Sequence, residues 1–242
     1  MAAIQGVLFD LDNTLAHRGL SIASYAARFA TDHRERLAGA SPDEIAALIM
    51  ERDNGGYGVI GSPFATVRED IAATLATRLR WRDAPSTDEL VHHWFEHFPT
   101  HSVEMPGATA LLDRLAAAGV PVGIVSNGKE SSRRGLVQHL GFDRRIRMLV
   151  SSERAGARKP DVRIFELAAR ELGVPADRCW FIGDHPVNDI AGARDAGMRA
   201  VWLEGFHAWP ANAQRAPTIR ALHELESLLH RIQCGSVGVR SP

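Results

Sequence analysis

The chain has 242 residues, of which 45% are hydrophobic and 24% charged, with a formal net charge of −1. That size fits one large domain or a medium domain carrying an insertion, and the composition is that of an ordinary globular protein. Near-neutral charge gives no electrostatic reason to expect nucleic acid as the main partner. No apolar run approaches the ~20 residues needed to span a bilayer, so no membrane association is expected.

Cys179 and Cys234 form no metal-ligand spacing. Cys179 lies in an apolar run and reads as a small buried hydrophobe. Without a disulfide framework, and without the basic start and apolar core of a signal peptide, the expectation is a cytoplasmic protein, monomeric or homodimeric.

In chain order, Ile4 to Phe9 is an apolar run that reads as a buried strand and stops at Asp10. Asp10 and Asp12, followed by Asn13 and Thr14, suit a tight turn at that strand's carboxyl end. From Ser21 to Phe98 the pattern is helical. Apolar residues at Ile22, Tyr25, Ala26, Phe29 and Ala30 mark a first helix over Ser21–Leu37. Ser41-Pro42-Asp43-Glu44 is a capping box that opens a second, with Pro at the first helical position. Asn54-Gly55-Gly56-Tyr57-Gly58 and Gly61-Ser62-Pro63 interrupt the pattern as a flexible loop. A third helix is expected over Thr66–Leu79, and Ser86-Thr87-Asp88-Glu89 opens a fourth through Phe95.

Alternation then returns. Helices are predicted over Pro106–Ala118, Ser131–Leu140, Val162–Leu172 and Asp189–Ala196, the first three followed by a glycine suited to a helix end. Between them fall strands over Val120–Val125, Met148–Val150, Cys179–Ile182 and Ala200–Leu203. A last helix is expected over Ala221–Ile232, before a fraying tail. Strand–helix alternation implies a parallel sheet covered on both faces. The fold class is therefore α/β, a Rossmann-like core of residues 1–16 and 102–232 with an inserted helical domain over 17–101 and a flexible tail at 233–242.

Strand ends in such a sheet are where ligands bind. The first gives Asp10 and Asp12, the second Ser126 and Asn127, the fourth Asp184 with Asp189 nearby, and the loop after the third gives Lys159. Clustered carboxylates repel one another unless a cation lies between them, and a hard ion such as Mg²⁺ prefers oxygen ligands. A hydroxyl, backbone amides and one lysine would meet phosphate oxygens. That inventory suits phosphoryl transfer through a carboxylate nucleophile.

Phe9-Asp10-Leu11-Asp12-Asn13-Thr14-Leu15, Ser126-Asn127-Gly128, Lys159-Pro160 and Gly183-Asp184-His185-Pro186-Val187-Asn188-Asp189 resemble, in order, the four motifs of the haloacid dehalogenase superfamily. The helical insertion is similar to that family's C1 cap, a mobile lid. The resemblance implies that Asp10 attacks phosphorus and becomes an aspartyl phosphate. Asp12 would protonate the leaving oxygen and then take a proton from water. It further implies Mg²⁺ held by Asp10, Asp184 and the Asp12 carbonyl, and a phosphoryl group bound by Ser126, the Asn127 amide and Gly128. Lys159 would balance charge, with Asp189 and Thr14 in support and Asp189 oriented toward Lys159 or a metal-bound water.

The family's dehalogenases lack an acid at the position of Asp12, as does its phosphonate-cleaving branch, which uses a cap lysine; no lysine occurs before Lys129. The expected function is hydrolysis of a small phosphorylated metabolite. A phosphosugar mutase and a non-catalytic phospho-ligand-binding protein are the alternatives. Asn54 and Tyr57 are the expected specificity loop, and His17 and Arg18 could contact the leaving group.

Other features read as structural. His93 and His97 share a helical face at a spacing seen in zinc sites, but no ligand pattern completes them, and Trp94, Phe95 and Phe98 indicate packing at the hinge. Arg133-Arg134 reads as a solvated helix face, Asp189 could simply start its helix, and Trp202 and Trp209 would pack near the site.

Overall fold

The computed structural model describes residues 5–228. Strand β1 (Gly6–Phe9) delivers the chain to its first acidic turn; Ile4, expected to open this strand, lies outside the described residues. Contacts divide the chain into two units, one of the residues up to Leu15 and from Glu104 onward, the other Ala16–Val103.

The second unit is helical. Helix α1 (Arg18–Asp32) begins three residues before its expected start because His17 Nδ1 accepts the Leu20 N–H at 3.3 Å. It ends at Asp32 rather than Leu37, which instead forms a bridge with Trp81. Ser41 accepts the Glu44 N–H and starts α2 (Pro42–Asp53). Reciprocal capping boxes at Thr66/Glu69 and Ser86/Glu89 start α3 (Val67–Arg78) and α4 (Thr87–His97). Ile22, Tyr25 and Phe29 of α1 form one core with Ile45 and Ile49, Ile71 and Leu75, and Leu90 and Trp94.

The loop expected to be flexible is a hydrogen-bonded turn at its start. Asn54 closes α2 in the left-handed region (φ 46°), its Nδ2 donates to the Gly58 carbonyl at 2.8 Å, and Tyr57 N–H donates to the Asn54 carbonyl. Arg18 grips Asp53 at 2.7 and 2.6 Å with both groups buried, so its guanidinium is committed to this unit's own packing.

His93 packs against Phe29 and His97, whereas Phe95, expected to pack there too, is exposed. Asp32, His93 and His97 each present a ligand atom within 4.8 Å of the others, a third partner that sequence spacing did not reveal. Burial pushes His93 down to about 4, so its ring is neutral near pH 7. A neutral imidazole offers one donor and one acceptor. Tyr25 Oη at 2.9 Å and Asp32 Oδ2 at 3.0 Å complement them, and Arg28 donates to the same Asp32 oxygen. The cluster is a satisfied hydrogen-bond network.

The first unit resumes with α5 (Ala108–Ala117), β2 (Val122–Ser126) and α6 (Glu130–His139). Then come β3 (Met148–Ser151), the short α7 (Ser152–Ala155), α8 (Val162–Leu172) and β4 (Cys179–Gly183). A π-type turn over Pro186–Ala191, α9 (Gly192–Asp195), β5 (Arg199–Leu203) and β6 (Thr218–Ile219) follow. The sequence pattern missed β6 because two residues carry no readable period, and α7 because it is a single turn. Residues 224–228 are helical, so this helix starts three residues after its expected start at Ala221; residues 229–242 lie outside the described residues.

The six strands are parallel in the order β3-β2-β1-β4-β5-β6. From β1 the chain builds outward to β2 and β3, then crosses to β4 and builds the other way. The order therefore reverses between β1 and β4, the crevice where such sheets bind ligands. Leu8, Val125, Ile164, Phe165, Leu172 and Phe181 pack into one core beneath that edge. Replacing Phe165, fully buried with its ring 5.0 Å from Phe181, by Ala is expected to cost the sheet unit about 3–5 kcal/mol; the urea midpoint of its unfolding transition measures this.

Candidate active site

Four loops at the carboxyl edge meet over the β1/β4 crevice. Asp10 leaves β1 with its N–H bonded to the Ile182 carbonyl of β4 at 2.9 Å, which fixes where the carboxylate projects. Lys159 Nζ lies 2.5 Å from Asp10 Oδ1 and 2.6 Å from Asp189 Oδ1. All three residues are at most 4% exposed.

Each member of that triad is held by a specific neighbour. Asn127, just past β2, clamps the Lys159 main chain from both sides. Its Oδ1 accepts the Lys159 N–H at 2.9 Å and its Nδ2 donates to the Lys159 carbonyl at 3.3 Å. Asp189 sits in the π-type turn, where its Oδ2 accepts the His185 N–H at 3.0 Å. It fits beneath β4 because residue 183 is glycine: a Cβ there would lie 2.5 Å from the Asp189 side chain. His185 starts the turn, its Nδ1 accepting from Val187 and Asn188. The turn thus begins before the expected start at Asp189, and Asp189 is a buried ion-pair partner, not the first residue of a helix.

Asp184 is the third acid. His207 Nδ1 lies 2.9 Å from its Oδ2, and the Trp202 indole donates to its carbonyl at 2.7 Å. Its other oxygen, Oδ1, is buried with no hydrogen-bond partner. Burial pushes Asp184 up to about 6, with the His207 contact opposing. Burial also raises Asp10 well above the ordinary carboxylate range, Lys159 opposes it, and Asp189 and Asp184 add to the rise. For Lys159, burial favours the neutral amine, but the two carboxylates outweigh it and hold the ammonium charged.

Asp10, Asp184 and Asp189 present ligand atoms within 4.8 Å of one another. Three buried acids share one ammonium, and an orphaned carboxylate oxygen is left over. That excess of negative oxygen donors fits a hard divalent cation.

Gly128 takes a different part from the one the sequence suggested. The Gly128 N–H is occupied by Ser152 Oγ at 2.9 Å, because α7 brings that hydroxyl alongside. What Gly128 (φ 147°) supplies is room, since a Cβ there would lie 2.4 Å from Arg133 Nε. Asn127's side chain serves Lys159. Ser126, the last residue of β2, is buried at the same edge, and the Thr14 hydroxyl is buried without a partner. Asn54 and Tyr57 belong to the helical unit.

Two contacts were not legible. Arg133 is no solvated face: it pairs through Nη1 with Asp12 Oδ2, with both side chains largely buried. Arg134 does point outward, to Glu130 at 2.7 Å. His207 lies four residues past β5, and its only sequence signal is that position beyond a strand's carboxyl end.

The family described as haloacid dehalogenase-like hydrolase matches residues 4–197. The chain is 33% identical over 127 residues to pyrimidine 5'-nucleotidase YjjG of Escherichia coli, 52% of this chain and 56% of that enzyme. It is 34% identical over 202 residues to phosphoglycolate phosphatase of Rhodospirillum rubrum, 81% and 78% of the two chains. It is also 33% identical over 146 residues to an (S)-2-haloacid dehalogenase of Pseudomonas putida, 60% of this chain and 65% of that one. Among solved structures, HAD-hydrolase YfnB from Bacillus subtilis bound to magnesium superposes with a TM-score of 0.71 at 19% identity, over 94% and 99% of the two chains. The protein is a member of the haloacid dehalogenase-like hydrolases. The match to the nucleotidase spans just over half of that enzyme, and the relatives include both phosphatases and dehalogenases.

Removing Lys159 would leave Asp10 and Asp189 facing each other without a counter-charge. Lys159→Ala is therefore expected to cost about 3–5 kcal/mol at pH 7. The loss should shrink toward pH 5, because protonation of the stranded carboxylates is then within reach; denaturation at both pH values tests this.

Proposed function

We propose that this hydrolase cleaves phosphate monoesters of small metabolites through an aspartyl phosphate on Asp10, with Mg²⁺ as its cation. The observation that carries the reading is the convergence of Asp10, Asp184, Asp189 and Lys159 on one crevice, with a second acid, Asp12, two residues past the first. Relatives named as phosphoglycolate phosphatase and pyrimidine 5'-nucleotidase support the substrate class.

Lys159 fixes one Asp10 oxygen and leaves the other to act as nucleophile. As the Asp10–phosphorus bond forms, the bond to the leaving oxygen breaks, and that oxygen takes its electron pair and a proton from Asp12. Asp12 then removes a proton from water, whose oxygen attacks phosphorus and displaces Asp10. Mg²⁺ would be held by Asp10, Asp184 and the Asp12 carbonyl, and when bound it supplies neutralisation of the phosphoryl oxygens. Lys159 balances the remaining charge. Ser126 lies at the same edge, as the hydroxyl for those oxygens. The partner is thus a small phosphorylated molecule, with neither nucleic acid nor a membrane required.

The acid at position 12 favours the phosphatase over the dehalogenase reading. It gives the leaving alkoxide a proton donor, for which halide has no need.

Asp10→Asn is expected to reduce phosphate release from p-nitrophenyl phosphate by at least about 10³-fold with the circular dichroism spectrum unchanged. Retained turnover, or halide release from a 2-haloacid by the wild-type protein, would overturn the assignment. Retention of phosphate on the protein, needing a bisphosphate activator for turnover, would indicate a mutase.

The raised Asp184 and Asp10 carboxyls set the sign of a second outcome. Below about pH 6 the folded protein holds protons that Mg²⁺ must displace. Its affinity, followed by calorimetry, should fall about tenfold per pH unit for each proton displaced. Affinity that is flat between pH 7 and 5 would place the cation elsewhere.

A further inference from the structure

Arg133 has no role in the proposed chemistry, although it pairs with Asp12, a group that chemistry uses. It projects from the first turn of α6, directly after the loop Ser126–Gly128, and its Nη1 pairs with Asp12 Oδ2. Side-chain exposure is 16% for Arg133 and 18% for Asp12, so the pair faces the crevice and is not a solvated surface contact. Its Nε is buried without a hydrogen-bond partner, a donor left unmet beside the phosphoryl-binding loop. Only a glycine at 128 lets the guanidinium lie there, since a Cβ would fall 2.4 Å from Nε and 2.9 Å from Nη2.

Arg133 takes one of the two oxygens of Asp12. The Asp12 oxygen that Arg133 occupies belongs to the carboxylate that must face the leaving oxygen. An anion that draws the guanidinium away releases that oxygen. What competes best for a guanidinium is an anion that can take two parallel N–H donors. The side chain it rests on is itself a carboxylate, so the position already accommodates that shape and charge.

We propose that Arg133 is the specificity residue of this site and binds a carboxylate on the leaving group of the ester, moving to it from Asp12. On this reading the preferred substrates are phosphate esters of small hydroxy acids. The inference rests on the phosphatase reading and goes beyond it. Asp12 acts as an internal stand-in for the substrate's carboxylate while the crevice is empty. Entry of that carboxylate frees Asp12 at the moment its oxygen is needed, and the unmet Nε–H gains a second acceptor nearby. An ester with an uncharged leaving group has nothing to draw the guanidinium away.

The test compares steady-state phosphate release from three esters: a phosphorylated hydroxy acid such as phosphoglycolate, a neutral ester such as glycerol phosphate, and a sugar bisphosphate. Assays use the full chain with Mg²⁺, as wild type, Arg133→Gln and Arg133→Lys. The wild-type protein is expected to favour the hydroxy-acid ester over the neutral one by roughly 10- to 100-fold in kcat/KM, the range for one charged hydrogen-bonded contact. Arg133→Gln should collapse that ratio toward one, chiefly by raising KM for the hydroxy-acid ester. Arg133→Lys, which keeps the charge but not the two parallel donors, should restore only part of it.

A merely structural arginine would lower activity on all three esters alike and leave the ratio intact, and that result overturns the inference. So does a wild-type preference for the bisphosphate over the hydroxy-acid ester, which would assign the guanidinium to a second phosphate. Phosphate release from none of the esters would remove the phosphatase reading itself, and the inference with it. Should Arg133→Gln be recovered unfolded, Arg133→Lys alone decides between a reduced ratio and an unchanged one.

Discussion

A single buried ammonium holds the active edge of this protein together. Lys159, 3% exposed, lies between Asp10 and Asp189, and the three charges would be untenable at that depth in any other combination. Desolvation disfavours every one of them, and removing one partner leaves the others buried and uncompensated. The neighbouring residues act mainly to keep this contact in register. Asn127 fixes the lysine's main chain, the His185 N–H fixes Asp189, and Gly183 leaves the space that Asp189 fills.

The triad does not balance the charge at the site. Asp184 adds a third buried carboxylate, and His207 engages only one of its oxygens. The remainder is a cluster of oxygen donors with surplus negative charge and one oxygen without a partner, an arrangement that favours a divalent cation over a second lysine or arginine. Burial raises the Asp10 carboxyl, and the neighbouring carboxylates of Asp189 and Asp184 add to the rise while Lys159 opposes it.

The fold supplies the convergence. Four loops separated by up to 179 positions in sequence, from Asp10 to Asp189, meet because β1 lies between β2 and β4, where the sheet reverses its order. Backbone pairing places Phe9 opposite both Ile124 and Ile182, so the residues that follow each strand emerge at one level. The helical unit has its own core, packed from aromatic and aliphatic residues and accompanied by internal ion pairs.

The polypeptide's order of residues determined most of the architecture and the membership of the site. Short apolar runs read as buried strands, the capping box at Ser86 and the glycines after helices marked helix ends, and the acids at positions 10, 12 and 184 fell where strands stop, with Asp189 nearby. Those signals are local, and local chemistry suffices to read them. The pairing of Arg133 with Asp12 and of His207 with Asp184, the use of Asn127 to hold Lys159 and the role of Gly128 as a space for a guanidinium were decided by tertiary structure alone. Each joins residues between 5 and 121 positions apart through a direction in space. A side chain's direction depends on helix phase, strand register and the room left by its neighbours, and no periodicity in the chain records these.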